Sequence, residues 1–167
     1  NSKGILKIHS KDKDQVRLGS GATDMKQLHS DSIKRGIQAM KKFSAMSEKA
    51  GSTIKAIGTS ALREAENRDD FIEKVAFATG IHVEVFSGYE EGRLIYVGAV
   101  HALPILSKKA LIIDIGGGST ETAIGVLGEV SYVHSAKLGS IRLTQRFFPN
   151  GIANEQSIKE CRLQIQG

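Results

Sequence analysis

The run Leu111-Ile112-Ile113-Asp114-Ile115-Gly116-Gly117-Gly118-Ser119-Thr120-Glu121 constrains this chain more than any other stretch. A short apolar segment that ends in a carboxylate and a glycine turn reads as a buried strand with its functional end at the turn. Consecutive glycines remove the side chains that would keep a ligand away from backbone N–H groups, and close approach to such groups is what a phosphate needs. Ser119 and Thr120 add hydroxyl donors. Gly116, Gly117, Gly118, Ser119 and Thr120 are therefore the candidate phosphate-binding residues. Asp114 is the candidate metal ligand, because Mg²⁺ keeps several waters and leans on one or two carboxylates. The spacing matches neither a P-loop nor a dinucleotide-binding turn, since a strand rather than a helix follows the glycines. A tight hairpin that binds nothing is the alternative reading of the same residues.

The segments around this run alternate in type. Ile5-Leu6-Lys7-Ile8 and Gln15-Val16-Arg17-Leu18, either side of Lys11 to Asp14, predict a hairpin. Ile33, Ile37, Met40 and Phe43 fall three to four apart, with Ser30 or Asp31 as N-cap and Gly51 beyond the end, and predict an amphipathic helix. A strand over Thr53 to Gly58, a helix over Thr59 to Ala65, a helix over Asp69 to Thr79 stopped by Gly80, and a strand over Val83 to Phe86 come next. Tyr89 to Leu103 resumes helical spacing with Pro104 just past it. Thr122 to Val126 and Val130 to His134 read as antiparallel neighbours of Ala110 to Ile115, and Ser140 to Phe148 and Asn154 to Gln166 as helices. This order predicts an α/β chain with a mixed sheet. The pattern restarts near Leu103 to Lys109, so the expected division is a first lobe over residues 1–105 and the start of a second over 106–167.

The 167 residues, 40% of them hydrophobic, suffice for one sizeable core or two small lobes sharing a cleft. A formal charge of +5 favours polyanions only weakly, because the lysines are scattered. No basic run with interleaved aromatics appears, so nucleic acid is not an expected partner. Cys161 is the sole cysteine, which excludes an internal disulfide and a cysteine-built metal site and makes the cytoplasm the expected compartment. No apolar stretch approaches the roughly 18 residues that cross a bilayer, so no membrane association is expected.

Asp114 to Glu121 resembles the second phosphate loop of the acetate kinase, sugar kinase, heat-shock ATPase and actin superfamily. Ser87-Gly88-Tyr89-Glu90-Glu91-Gly92-Arg93-Leu94-Ile95-Tyr96, preceded by Thr59-Ser60-Ala61-Leu62-Arg63-Glu64-Ala65, narrows the resemblance to the exopolyphosphatase and guanosine pentaphosphate phosphatase family. Leu138-Gly139-Ser140-Ile141-Arg142-Leu143-Thr144 is similar to that family's next landmark. The resemblance implies a ribonuclease H-like, actin-type fold with two lobes, both incomplete over these residues. It implies release of terminal phosphate from inorganic polyphosphate or guanosine pentaphosphate, with Mg²⁺ as cofactor and a homodimer as the common assembly.

It also implies roles for single residues. The second glutamate of the Ser-Gly-x-Glu-Glu-x-Arg motif, which falls on Glu91, is the catalytic base in that family. A carboxylate in a cleft can take a proton from an attacking water, and partial burial would raise its pKa toward working pH. Arg93 and Arg63 could neutralise phosphate charge with their planar forks, and Glu121 would position water or metal across the loop. Without the resemblance, Glu90, Glu91 and Arg93 read as an exposed helix face.

The family's first phosphate loop is represented only by Asn1-Ser2, which resembles its tail, so little phosphatase activity is expected of these residues in isolation. A regulatory module that binds phosphate or nucleotide without hydrolysis is the alternative from another class. A kinase or ATPase of the wider superfamily is a further one.

Overall fold

The computed structural model describes residues 8–21 and 25–167. The first arm of the expected hairpin lies almost wholly outside the described residues, and its second arm, Gln15 to Leu18, forms no strand. The first element is the helix α1 (Ser30–Lys49), and His29, not Ser30 or Asp31, occupies its N-cap with no side-chain bond. The strand β1 (Ala56–Gly58) runs into the short helix α2 (Ser60–Glu64). The helix α3 (Arg68–Thr79) follows and ends at Gly80, whose φ of 70° is the left-handed C-cap that glycine adopts without a Cβ penalty.

The strand β2 (Val83–Val85) then pairs in parallel with β1, with α2 and α3 forming the crossover. Leu28, Ile33, Leu62, Ala65, Phe71, Val75 and Ile81 form the core beside this pair. At about 25 cal/mol per Å² of apolar surface removed from water, burial of a leucine, isoleucine or phenylalanine contributes about 1.5–3 kcal/mol. This cluster is therefore what holds α1 and α3 to the β1–β2 pair.

The second sheet is antiparallel, in the order β3 (Ala110–Ile115), β4 (Thr120–Val126), β5 (Glu129–Ala136). Leu127 and Gly128, both with positive φ, close the β4–β5 hairpin, as the right-handed twist of paired strands demands. The helix α4 (Gly88–Ala102) packs on one face of this sheet, where Tyr96 and Val100 meet Ala123 with Ala110, Ile112, Val130 and Val133 around them. The helices α5 (Ser140–Phe147) and α6 (Glu155–Gln166) complete the chain, α6 with a reciprocal capping box between Asn154 and Ser157.

The chain is thus α/β, as its element order predicts, and among the described residues its strands form one parallel and one antiparallel sheet. The expectation of a buried β3 needs correction, because only one face is covered. Strand residues alternate between faces, and α4 covers Ala110 and Ile112 while Leu111, Ile113 and Ile115 are more than half exposed. No described helix is long and apolar enough to cross a membrane.

Candidate active site

The first turn of α4 is built by small residues. Ser87 caps it by accepting the Glu90 N–H at 3.1 Å, and Glu90 and Glu91 sit where the helix dipole favours negative charge. Gly88 and Gly92, one turn apart, face the second sheet. A Cβ at Gly88 would lie 2.5 Å from the Ser135 Cβ, and one at Gly92 would lie 2.6 Å from a Val133 methyl. The two glycines let the helix backbone lie directly on β5, which sets Glu91 over the end of the sheet.

Three side chains leave that end of the sheet on the same face. Asp114, Glu121 and Ser135 are register partners across β3, β4 and β5, so they form a cross-strand row. Glu121 is 2% exposed and accepts the Ser135 hydroxyl at 2.7 Å. Arg63, at the end of α2, reaches in from the other sheet's side. Its Nη1 donates to Glu91 Oε2 at 2.9 Å and to the Phe86 carbonyl at 2.9 Å, and its Nη2 stands 4.0 Å from Glu121 Oε1. Burial, reinforced by the Glu121 charge, pushes the Glu91 carboxyl above its ordinary range against the pull of Arg63 and Thr59. Glu91 therefore holds a proton more readily than an ordinary glutamate.

The glycine loop is held from behind by α5. The Ser140 N–H donates to the Gly116 carbonyl at 2.9 Å, Ile141 and Arg142 N–H groups donate to the Gly117 carbonyl at 2.9 and 3.1 Å, and Arg142 Nε donates to the Gly118 carbonyl at 2.8 Å. These bonds use the donors that open α5 and fix three successive peptide planes. In a planar trans peptide the N–H points opposite to the C=O. Carbonyls drawn toward α5 thus turn the Gly117, Gly118 and Ser119 amides the other way, and those of Gly117 and Gly118 have no acceptor among the described residues. Gly139 makes this packing possible, since a Cβ there would overlap the Gly117 carbonyl and the Gly118 nitrogen.

Not every residue singled out in the sequence enters this constellation. Arg93 forms a two-pronged pair with Glu90, 3.0 Å from Nε and 2.8 Å from Nη2. Residues two apart on a helix face different sides, so α4 carries Arg93 away from Glu91. The Thr120 hydroxyl is engaged by the Leu138 carbonyl, so it is not a free donor to a ligand. Asp114 is exposed at the rim of the row. Ser135, Glu64 and Arg142 contact this constellation, and sequence reasoning gave them no place in it. Arg142 lies inside a quoted motif, but nothing local announces its long-range bonds.

Among the described residues no group of three or more His, Cys, Asp or Glu is arranged to hold a metal ion. Mg²⁺ needs fewer protein ligands than that. Asp114 and Glu121 stand on adjacent strands, Glu91 stands close enough to Glu121 to feel its charge, and Arg63 is the cation between those two glutamates. Such an excess of carboxylate fits a divalent cation.

The whole chain, residues 1–167, matches the model of the Ppx/GppA phosphatase family. The guanosine-5'-triphosphate,3'-diphosphate pyrophosphatase of Photobacterium profundum is 35% identical over 146 residues, which are 87% of this chain and 29% of that protein. The crystal structure of an exopolyphosphatase from Cytophaga hutchinsonii superposes with a TM-score of 0.76 at 33% identity, covering 80% of this chain and 43% of that one. The type II variant of the Aquifex aeolicus Ppx/GppA phosphatase gives a TM-score of 0.71 at 30% identity, covering 96% of this chain and 53% of that one. The chain spans between 29% and 53% of the length of these relatives. With four motifs in order along the sequence and this fold beneath them, the chain belongs to the Ppx/GppA phosphatase family.

Proposed function

We propose that the complete protein hydrolyses the terminal phosphoanhydride bond of inorganic polyphosphate or guanosine pentaphosphate, with Glu91 as general base. The observation that carries this reading is the environment of Glu91: 14% exposed at its side chain, oriented by Arg63 at 2.9 Å, with its proton affinity raised. A carboxylate of raised pKa, held still at the end of a sheet, is a stronger proton acceptor than an ordinary one.

Water attacks the terminal phosphorus and loses its proton to Glu91, the P–O bond to the rest of the chain breaks, and inorganic phosphate leaves. The Gly117, Gly118 and Ser119 amides are the donors for the phosphoryl oxygens, directed by the bonds that hold their preceding carbonyls. Arg63 orients Glu91 and adds positive charge facing the substrate. Asp114 and Glu121 would hold Mg²⁺, which when bound supplies charge neutralisation to the phosphate oxygens. Glu91→Gln in the complete protein is expected to slow phosphate release by roughly 10²–10⁴-fold while polyphosphate is still retained. Undiminished turnover would refute the assignment.

A further inference from the structure

We propose that Glu64 and Arg142 are a positioning pair that sets the glycine loop for phosphate, a role that rests on the function proposed above. Arg142 Nη2 donates to Glu64 Oε1 across 78 residues of sequence, while Arg142 Nε holds the Gly118 carbonyl at 2.8 Å. The two side chains are 13% and 11% exposed, so the pair is shielded on both sides. Glu64 is itself fixed by the Ser60 hydroxyl at 3.1 Å and by Lys137 Nζ at 3.1 Å. Ser60 also lies against the loop, since a Cβ on Gly118 would overlap its hydroxyl. Helix α2 thereby touches the loop through Ser60 and holds, through Glu64, the guanidinium that aims it.

The planar fork of arginine makes this arrangement specific. One edge binds Glu64, which fixes the plane of the guanidinium, and Nε is then directed at the Gly118 oxygen. With that carbonyl held, the Ser119 N–H faces the opposite side of the peptide plane, where Gly117 and Gly118 N–H groups also point. Loss of Glu64 removes the bond that sets the guanidinium plane on this side, and the hold of Arg142 Nε on the Gly118 carbonyl weakens. The consequence falls on phosphate affinity and not on the proton transfer at Glu91, because Arg63 remains in place.

The test compares wild type, Glu64→Gln, Arg142→Met and the double variant in the complete protein, by calorimetric titration with inorganic phosphate and by steady-state phosphate release. Each single variant is expected to weaken phosphate binding and raise KM roughly tenfold to hundredfold, as loss of a charged hydrogen bond does. The acid limb of the kcat/KM–pH profile stays in place, and the double variant is no worse than Arg142→Met. Arg142→Lys keeps the charge without the fork and covers the case in which Arg142→Met does not fold; it is expected to bind phosphate as weakly. Losses that multiply in the double variant, or single variants with wild-type phosphate affinity, overturn the pair. A wild type that neither binds nor releases phosphate defeats the proposed function and this inference with it. Wild-type activity matched by Glu64→Gln defeats this inference alone.

Discussion

Arg63 and Glu64 are neighbours on one short helix, yet they anchor two clusters with opposite charge balance. Around Arg63 two carboxylates, Glu91 and Glu121, share one guanidinium, and the Glu91 carboxyl is pushed up, first by burial. Around Glu64 two cations, Arg142 and Lys137, share one carboxylate. Burial there works to raise the Glu64 carboxyl, but the bonds from Lys137 and Arg142 prevail and hold it below its ordinary range. The same residue type is thus prepared to take a proton in one cluster and to remain ionised in the other. On the function proposed above, the first balance serves chemistry and the second serves position.

The contrast breaks most severely if Arg63 is removed. Arg63→Met leaves two shielded carboxylates facing each other, and such uncompensated charge typically costs about 3–5 kcal/mol. Thermal unfolding should register the loss, and the acid limb of any residual phosphate release should move to higher pH as Glu91 loses its stabilising partner. An unchanged limb would mean that Arg63 does not govern Glu91.

Gly139→Ala attacks the other side of the site. The added methyl must displace the Gly117 and Gly118 backbone, with an overpacking cost of about 1–3 kcal/mol. Its expected signature is a loss of phosphate affinity larger than the loss of thermal stability would suggest. Equal affinity in the variant would separate the loop from phosphate binding.

A smaller effect is expected from acid titration of Glu64. Its folded pKa lies below its unfolded one, so its contribution to stability is present above the unfolded pKa and disappears as pH falls through the folded value. Urea unfolding from about pH 7 down to about pH 3 should therefore show a steeper acid decline in the wild type than in Glu64→Gln. Parallel declines would place the stabilising charge elsewhere.

Much of this arrangement was legible in the sequence because it is local. The apolar run before Gly116 marks β3, the left-handed stop at Gly80 marks the end of α3, and the Ser87-Gly88 break marks the start of α4. What was hidden depends on long-range contact. Glu64 meets Arg142 only after the chain has folded, and Ser135 meets Glu121 only through the register of β4 with β5. The pairing of Arg93 with Glu90, on another side of α4 from Glu91, was hidden as well, because adjacency in a motif does not show helical rotation. The apolar run of β3 likewise could not show that α4 covers one of its faces and leaves Leu111, Ile113 and Ile115 outward.

The most direct test of Glu91 as the base is the pH dependence of kcat/KM for phosphate release by the complete protein, measured for the wild type and Glu91→Gln. The wild type should lose activity as pH falls through a pKa above the ordinary carboxylate range, because the protonated acid cannot accept the water's proton. Glu91→Gln should be slower by roughly 10²–10⁴-fold and should lack that limb. A variant that keeps both the rate and the limb would contradict the account.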